Sequence, residues 1–476
     1  MLAWLGATSA LALPTETLSP VAGHPKIAVT IGGSGYVPGE GVDVYFDTAD
    51  ELLVIADSAG NFSGKQLKVA ADALPGTHWI TALGRKDGEG AQAAFTVRTA
   101  WAEHGFSPHG KRSNPYENVI TAGNAAGLDL AWTATTGSYV TSSPAVANGI
   151  VYVGSLDGKL YARNASTGAV KWTATTGGEL VSSPAVAARV VYVGASDGKV
   201  YARNASTGVA KWTTTIGSGV DSSPAVANGV VYVGTLDGYL VALNASTGAV
   251  KWTAAAGNFV ESSPAVADGV VYAGSDDYKL YAFNATTGAP LWSAPTGNSV
   301  YSSPAVANGV VYVGSLDTKL YAFNARTGAL LWAPYTGGAL WSSPAVANGV
   351  VYVGSDDAKL YAFDAHTGAV LWAQTTPGGA LHSSPAVANG VVYVGSLDGN
   401  LYAFDARSGA PLWTAATGGA VESSPAVADG IVYVGSDDRK LYAFALDAGN
   451  NAAYRRPATP PPYASLHPDY RLKPAR

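Results

Sequence analysis

The chain contains no cysteine among its 476 residues, and this absence excludes several kinds of site. Without thiols the protein forms no disulfide bond, no thiolate zinc centre and no cysteine nucleophile. Charged residues are also scarce, at 13% of the chain, and the formal net charge is -6. The sequence therefore lacks the basic surface that nucleic acids require, and we predict no nucleic-acid partner.

Apolar runs long enough to span a membrane as a helix are missing as well. The apolar stretch at residues 1–12 has about a dozen residues, which is too short to cross a bilayer. It ends in small residues, as a secretory signal does, although no Lys or Arg precedes it, and an ordinary buried strand is the alternative. We predict a leader segment within residues 1–20 and a secreted or cell-surface location in a bacterial envelope.

Glycine, tyrosine and tryptophan are abundant, with 57, 26 and 12 residues, a composition typical of short strands and tight turns. We predict an all-β protein. Residues 25–99 contain short runs of period two between turn clusters, which indicates a β-sandwich. The run GSGYVPGEGVDVYFD, followed by DSAGNFSG and ALPGTHWITALG, resembles the immunoglobulin-like modules of bacterial surface proteins. That resemblance implies a spacer, stalk or adhesive unit, followed by a polar connector at residues 100–128.

A repeat with a period of 40 residues, and a single step of 41, occupies most of the remaining chain. Such a period indicates four strands per unit and a β-propeller. The proline of each Ser-Ser-Pro suits the strand nearest the axis, because we expect the inner edge of that strand to have no partner. The eight Ser-Ser-Pro segments begin at Ser142, Ser182, Ser222, Ser262, Ser302, Ser342, Ser383 and Ser423.

Eight tryptophans mark the fourth strand of the repeat. Trp132 precedes the first Ser-Ser-Pro, whereas no tryptophan follows the last KLYAFA. The N-terminal strand LAWTAT should therefore complete the last unit, which predicts an eight-bladed β-propeller over residues 129–446. Residues 447–476 predict a Pro-rich, basic, flexible tail that is either inert or a tether to an acidic partner. The fourth-strand residues are Trp132, Trp172, Trp212, Trp252, Trp292, Trp332, Trp372 and Trp413.

The unit DGKLYAFNASTGAVKWTAT resembles the pyrroloquinoline quinone (PQQ)-like propeller repeat over about residues 129–446. The resemblance implies that the eight tryptophans dock neighbouring blades. It also implies a family with quinoprotein alcohol dehydrogenases and non-catalytic members, one of which belongs to the outer-membrane assembly machine. The catalytic members hold the quinone and calcium with a vicinal disulfide and groups in insertions, whereas this chain has neither feature. We predict no cofactor, PQQ included, and no catalytic or metal-ligating residue.

Two positions vary among otherwise similar repeats, and both fall in loops on the same face of a propeller. One precedes Ser-Ser-Pro and the other follows the Asp of the second turn, where Tyr278 and Arg439 replace the more common Gly. Aromatic and acidic side chains around a channel mouth are suited to a sugar, a cation or a peptide, although neutral drift among duplicated repeats is the alternative. The first position holds Thr141, Val181, Asp221, Glu261, Tyr301, Trp341, His382 and Glu422.

These features favour a non-enzymatic function over an enzymatic one. We predict a binding or scaffolding protein that uses a rigid propeller to recognise a protein or a glycan. One alternative is a PQQ- and calcium-dependent oxidoreductase. The other is a carbohydrate-binding or carbohydrate-cleaving protein, in which Asp221 and Glu261 would serve as acid and base.

Overall fold

The structure is a computed structural model that describes residues 13–446, 459–462 and 466, and its regular structure is almost entirely β-strand. The chain divides into two compact units, residues 1–99 with 450–476, and residues 100–449. A short 3-10 turn lies at Ala125–Gly127. Within the described part of the chain, no helix has the length and hydropathy needed to cross a membrane.

The N-terminal unit contains two sheets whose apolar faces meet in one core. The core includes Val29, Val42, Ile80 and Phe95, all fully buried. The strands are β1 (Thr15–Ser19), β2 (Ala22–Gly23), β3 (Ala28–Ser34), β4 (Gly41–Phe46), β5 (Ala49–Ile55), β6 (Phe62–Lys68), β7 (Gly76–Gly84) and β8 (Gly90–Val97). One sheet has the order β1-β3-β6 and the other β2-β8-β7-β4-β5.

Part of the predicted leader belongs to this unit, because β1 pairs with β3 in antiparallel register. Residues 1–12 lie outside the described residues, as does most of the predicted tail. The described tail residues contact the N-terminal unit: the Pro461 carbonyl accepts a hydrogen bond from Gln92 Nε2 at 2.8 Å, and Leu466 packs with Tyr45 and Leu83.

Within residues 128–446, every one of which is described, the strands form eight sheets, numbered here by the order of their first strands. Each sheet holds four antiparallel strands from the repeat, and in sheets 1–7 short turns join consecutive strands. The first strands are Ala145–Ala147, Ala185–Ala187, Ala225–Ala227, Ala265–Ala267, Ala305–Ala307, Ala345–Ala347, Ala386–Ala388 and Ala426–Ala428. The second strands are Ile150–Ser155, Val190–Ala195, Val230–Gly234, Val270–Ser275, Val310–Gly314, Val350–Gly354, Val391–Gly395 and Ile431–Ser436.

The third and fourth strands follow the same order. The third strands are Lys159–Asn164, Lys199–Asn204, Tyr239–Asn244, Lys279–Asn284, Leu320–Asn324, Lys359–Asp364, Asn400–Asp405 and Lys440–Leu446. The fourth strands of sheets 1–7 are Val170–Thr175, Ala210–Thr215, Val250–Ala255, Pro290–Pro295, Leu330–Trp332, Val370–Thr375 and Pro411–Ala416. Between the first two strands of sheet 1, Asn148 and Gly149 have φ of 53° and 72°, as a type I′ hairpin requires.

The fourth strand of sheet 8 comes from the beginning of the repeat region. Leu128–Thr135 pairs antiparallel with Lys440–Leu446, so that Thr135 lies opposite Lys440 and Leu128 opposite Leu446. The two ends of the repeat region are therefore joined by backbone hydrogen bonds, as the position of Trp132 predicted.

The second serine of each Ser-Ser-Pro links neighbouring sheets around the axis. Ser143 N donates to Ser183 Oγ at 2.9 Å, and the same bond recurs in each following sheet. The series returns to its start, because Ser424 N donates to Ser143 Oγ at 3.0 Å. The first serine accepts from a Gly N–H of its own sheet, as Ser142 Oγ does from Gly154 N, and in several sheets its hydroxyl also donates to the next sheet, as Ser423 Oγ does to the Ser142 carbonyl. These bonds close the repeat region into a ring.

Replacing Ser143 with alanine should destabilise this ring. The change leaves the buried Ser424 N–H without its acceptor, which we expect to lower the free energy of unfolding by about 1–3 kcal/mol. Chemical denaturation followed by circular dichroism measures the effect. The exposed Ser206→Ala serves as the control, and equal stability of the two variants would contradict this role of Ser143.

The connector does more than join the two units, because it runs along the inner edges of the first strands. Trp101 and Val146 exchange two backbone hydrogen bonds, of 2.9 and 2.6 Å. Glu103 Oε2 accepts from Val226 N, and Asn114 Nδ2 donates to the Val427 carbonyl. The carbonyls of Ala102, Pro108, His109, Lys111 and Arg112 accept from the N–H groups of Val186, Val266, Val306, Val346 and Val387.

Every one of the eight first strands thus has a connector partner at its central valine. The expectation that the inner edge is unpaired was wrong. Each proline lacks an N–H, but the valine two residues further along has backbone groups that bond to the connector. A short strand, Ser113–Asn114, even adds in parallel to the first strand of sheet 7.

Candidate functional site

The variable residues before Ser-Ser-Pro lie at one end of the ring, in the loops between the fourth strand of one sheet and the first strand of the next. We call this set of eight positions the rim. The structure brings three of its residues into a stack: the ring centroids of Tyr301 and Trp341 are 4.5 Å apart with planes 29° apart, and those of Trp341 and His382 are 5.5 Å apart. Trp341 keeps 38% of its surface exposed. The stack therefore offers an aromatic surface to solvent.

A carboxylate supports the far end of this stack. His382 Nε2 lies 3.0 Å from Asp356 Oδ1, in the turn between the second and third strands of sheet 6. This contact orients the imidazole edge towards the carboxylate, so that the ring face remains against Trp341. Tyr301, Trp341 and His382 are thus held as one unit from three neighbouring sheets.

Acidic residues gather on the other side of Tyr301. Burial, followed by the negative charges of Asp276 and Asp221, raises the pKa of Glu261 to about 7. Burial and the charge of Glu179 raise the pKa of Asp221. Burial and a hydrogen bond to Asp276 raise the pKa of Tyr301 to about 12. Burial is the larger cause of these shifts, and the smaller contributions from Asp221, Asp276 and Glu179 show that acidic groups lie close together at this part of the rim, where a cationic partner would favour their ionised forms.

A second acidic group lies in sheet 8. Burial, followed by the charges of Glu422 and Asp438, raises the pKa of Asp437 to about 6. Thr141 and Val181, which also belong to the rim, contribute neither charge nor an aromatic ring. The rim is therefore uneven, with its aromatic and acidic side chains concentrated on sheets 3–8.

The pH dependence of stability should report the titration of Glu261. Its folded-state pKa of about 7 exceeds the ordinary 4.5, so the folded state binds this proton more tightly, and its contribution to stability is lost as the pH rises through 7. Glu261→Gln should therefore gain stability relative to the wild type above about pH 7, and show no such gain below about pH 4. Denaturation at both pH values measures the difference.

Carboxyl NMR titration provides the control for this prediction. In Asp276→Asn the pKa of Glu261 should fall but stay above 4.5, because burial, the larger cause, remains. An unchanged pKa in that variant would show that the two carboxylates do not interact, and an ordinary pKa in the wild type would contradict the burial of Glu261.

Sequence comparison missed three members of this site, Asp276, Asp356 and Asp437. They occupy the position just before the Asp that recurs in the second turn of every repeat. The second variable position that the sequence predicted is the one just after that Asp. Tyr278 and Arg439 do lie in those turns, but they have φ of 69° and 68° and take the left-handed place of Gly. The missed signal was present in the repeats, which read Leu156, Ser196, Leu236, Asp276, Leu316, Asp356, Leu397 and Asp437.

The eight fourth-strand tryptophans lie between sheets rather than at the rim. Trp172 Nε1, for example, donates to the Ala205 carbonyl of sheet 2 at 2.9 Å, and Tyr152 OH donates to the same oxygen. The tryptophan ring also packs on Gly208, where an added Cβ would lie 2.8 Å from it. Trp132, Trp212, Trp252, Trp292 and Trp372 make the same bond to the next sheet, and Trp413 donates to the Leu128 carbonyl.

Buried ionisable residues of the connector lie near the axis. Arg112 donates to the carbonyls of Pro385, Ser384 and His104, and burial lowers its pKa to about 9. Burial raises the pKa of Glu103 to about 8. A cavity of about 20 Å³ remains between these side chains and the Ser-Pro segments, enough for about one water molecule.

A family model described as outer membrane protein assembly factor BamB, of the PQQ_2 type, matches residues 117–219, 212–333, 282–388 and 367–465. The predicted PQQ-like repeat and β-propeller fold are thereby confirmed. No curated protein matches the chain. Among solved structures, BamB from Moraxella catarrhalis is 20% identical, with a TM-score of 0.58, over 67% of this chain and 99% of that one.

Two dehydrogenases share the fold. A europium-containing methanol dehydrogenase is 15% identical, with a TM-score of 0.64, over 73% of this chain and 98% of that one. A quinohemoprotein alcohol dehydrogenase from Comamonas testosteroni is 19% identical, with a TM-score of 0.64, over 76% and 82%. At these identities the likeness is one of fold.

These structures overturn the prediction that the chain has no cofactor. That prediction rested on the missing cysteines and on the uniform repeats, whereas proteins with this fold include a europium-containing and a quinohemoprotein enzyme. Uniform repeats do not exclude a cofactor, because a site needs only a few groups on one face of the ring. Among the described residues, no group of three or more His, Asp or Glu side chains is placed to share a metal ion.

Proposed function

Since the chain belongs to the PQQ_2 family, that of the outer membrane protein assembly factor BamB, we propose that it is a protein-binding β-propeller of the bacterial envelope. Its rim is the binding surface. The eight four-stranded sheets and the closed series of serine hydrogen bonds support an eight-bladed ring over residues 129–446. The two packed sheets of the N-terminal unit support an immunoglobulin-like sandwich that serves as a spacer or adhesive unit.

One observation carries this proposal, the exposed stack of Tyr301, Trp341 and His382 beside the acidic residues Glu261 and Asp276. Aromatic rings supply a large contact area at low conformational cost, and they are common among the residues that dominate protein interfaces. Carboxylates next to the rings favour a partner that places Lys or Arg side chains on the stack.

Affinity capture with the full chain tests the proposal. We expect a protein from the native envelope extract to bind the wild type and to lose at least tenfold in affinity for the double variant Trp341→Ala, Glu261→Ala. The matched control is Val181→Ala, at the same rim position in sheet 2, which should bind like the wild type. Equal binding by all three proteins would remove the rim from the proposal, and a glycan array with the same proteins tests a sugar partner.

A quinone-dependent oxidoreductase is the second candidate, and the fold shared with the two dehydrogenases favours it. The cavity near the axis is too small for a quinone. In this candidate the planar ring would lie at the rim, beside the exposed part of Trp341, whose ring already contacts Tyr301 and His382. Glu261 and Asp276 are the carboxylates there that would hold a cation. A bound quinone would supply the electron acceptor for alcohol oxidation.

Fluorescence titration with PQQ in the presence of calcium or lanthanum tests this second candidate. We expect saturable quenching of tryptophan emission that is lost in Trp341→Ala, together with reduction of a dye by an added alcohol. Quenching without saturation, or quenching that Trp341→Ala leaves unchanged, would reject quinone binding at the rim.

A further inference from the structure

The second serine of each Ser-Ser-Pro uses only part of its hydrogen-bonding capacity. A serine hydroxyl accepts hydrogen bonds and also donates one. Each of these eight hydroxyls accepts from a backbone N–H of the preceding sheet, as Ser183 Oγ does from Ser143 N. In the described part of the chain, none of the eight donates to a protein acceptor. The hydroxyl proton of each serine is therefore left for a further acceptor.

The cavity near the axis brings four of these serines together with side chains of the connector. Burial, followed by the charge of Arg112, lowers the pKa of His104 well below its usual range, so the imidazole is neutral. Its Nε2 atom lies 3.2 Å from Arg112 Nη1 and must accept, because a guanidinium only donates. The hydrogen is thus on Nδ1, which is buried without a hydrogen-bond partner among the described residues. The four serines are Ser223, Ser263, Ser303 and Ser343.

Arg112 brings a positive charge to this cavity that no described carboxylate neutralises. The residue is 1% exposed, and its nitrogens donate to the carbonyls of Pro385, Ser384 and His104. The ion pairs of the described residues do not include this guanidinium. A buried charge is costly unless an opposite charge accompanies it. A negative ion in the cavity would therefore stabilise Arg112.

Glu103 is the one acidic residue that lines the cavity. Its Oε2 atom accepts a hydrogen bond from Val226 N, and burial raises the pKa of the carboxyl group to about 8. At pH 7 this group is mainly protonated, so it carries little charge and does not repel an anion. The net charge of the groups around the cavity is therefore positive at pH 7.

We propose that this cavity is a binding site for one small monovalent anion and that chloride is its occupant. Arg112 supplies the opposite charge, whereas His104 Nδ1 and the serine hydroxyls supply hydrogen bonds. The cavity has room for about one water molecule, and a chloride ion is only slightly larger, whereas sulfate and phosphate ions are too large. The bound anion would contact both the connector and the ring of serines, and would hold the two together.

Bromide is a direct probe of the site, because it replaces chloride and scatters X-rays anomalously near its absorption edge. Crystals of the full chain soaked in sodium bromide should show an anomalous peak between Arg112, His104 and Ser263. Density for a water molecule in the cavity, without an anomalous peak, would overturn the proposal.

Urea denaturation in sodium chloride and in sodium gluconate of equal concentration shows whether the site is occupied in solution. An anion that binds only the folded state stabilises it in proportion to the logarithm of its concentration once the site is filled. We expect the wild-type midpoint to rise in this way with chloride but not with gluconate, which is too large for the cavity. Equal midpoints in the two salts would mean that water fills the cavity, and would overturn the proposal.

Two serines at the same position of the repeat provide matched variants. Ser263 lines the cavity and Ser143 does not, yet each accepts the same hydrogen bond in the serine series. Both Ser263→Ala and Ser143→Ala should lower the denaturation midpoint. Only Ser263→Ala should also weaken chloride binding, by about tenfold, because one hydrogen bond to a charged group contributes about that much. The same chloride dependence in the two variants would contradict the site.

Glu103→Gln distinguishes an anion from a cation in the cavity. If sodium were the occupant, the Glu103 carboxylate would be its ligand, and the variant would lose its response to salt. A chloride site should keep its response in Glu103→Gln at pH 7, because the carboxyl group is already mainly neutral there. Loss of the chloride response in this variant would overturn the proposal.

Discussion

Trp172→Ala should lower the free energy of unfolding by about 3–5 kcal/mol, the cost of emptying a large buried aromatic site. The ring is 8% exposed and lies between sheets 1 and 2, 5.8 Å from the ring of Tyr152. Its removal leaves a cavity against Gly208 and deletes a hydrogen bond to the Ala205 carbonyl. Urea denaturation followed by circular dichroism measures the change.

The repeats supply a matched control in Trp332→Ala. Trp332 occupies the same position in sheet 5, but its Nε1 atom is buried without a hydrogen-bond partner. Trp332→Ala should therefore lower the free energy of unfolding by about 1 kcal/mol less than Trp172→Ala does, because one hydrogen bond contributes about that much. A loss below about 1 kcal/mol for Trp172→Ala would contradict its place between the sheets.

Arg112→Met should be similarly destabilising, by about 3–5 kcal/mol, because it leaves several buried acceptors unpaired. The fully buried guanidinium donates to the carbonyls of Pro385, Ser384 and His104 at 2.6 to 3.3 Å. The same change should release the connector from the inner strands, so that limited proteolysis cuts within residues 100–128.

Lys111→Ala is the control for the connector. Its backbone carbonyl accepts from Val346 N, and a change of side chain leaves that bond in place. It should therefore unfold like the wild type and resist proteolysis. Cleavage of Arg112→Met elsewhere, with the connector still intact, would show that Arg112 does not hold this segment against the first strands.

The sequence was sufficient for the repeat region, since a period of 40 residues and the displaced Trp132 predict four-stranded units and a last sheet completed by the first strand. The role of the connector could not be predicted. It contacts the first strands mainly through backbone carbonyls, as at Lys111 and Arg112, and such contacts leave no pattern in the side chains.

The sequence predicted where the rim lies but not all of the residues that form the site. Variation before Ser-Ser-Pro identified Tyr301, Trp341 and His382, because aromatic residues stand out among nearly identical repeats. The stack itself depends on the distance between neighbouring sheets. Asp276 and Asp356 were missed because each precedes the Asp that recurs in every repeat, and the two adjacent acidic residues were both interpreted as part of the turn.

The closure of the ring is the central claim, and a disulfide across sheet 8 tests it most directly. Thr135 lies opposite Lys440, so the cysteine-free chain carrying Thr135→Cys and Lys440→Cys should cross-link on mild oxidation. Lys359 holds the same position in sheet 6 and lies opposite Thr375, so Thr135→Cys with Lys359→Cys should retain two free thiols. Cross-linking of the second pair, or none in the first, would contradict a ring closed by its own first strand.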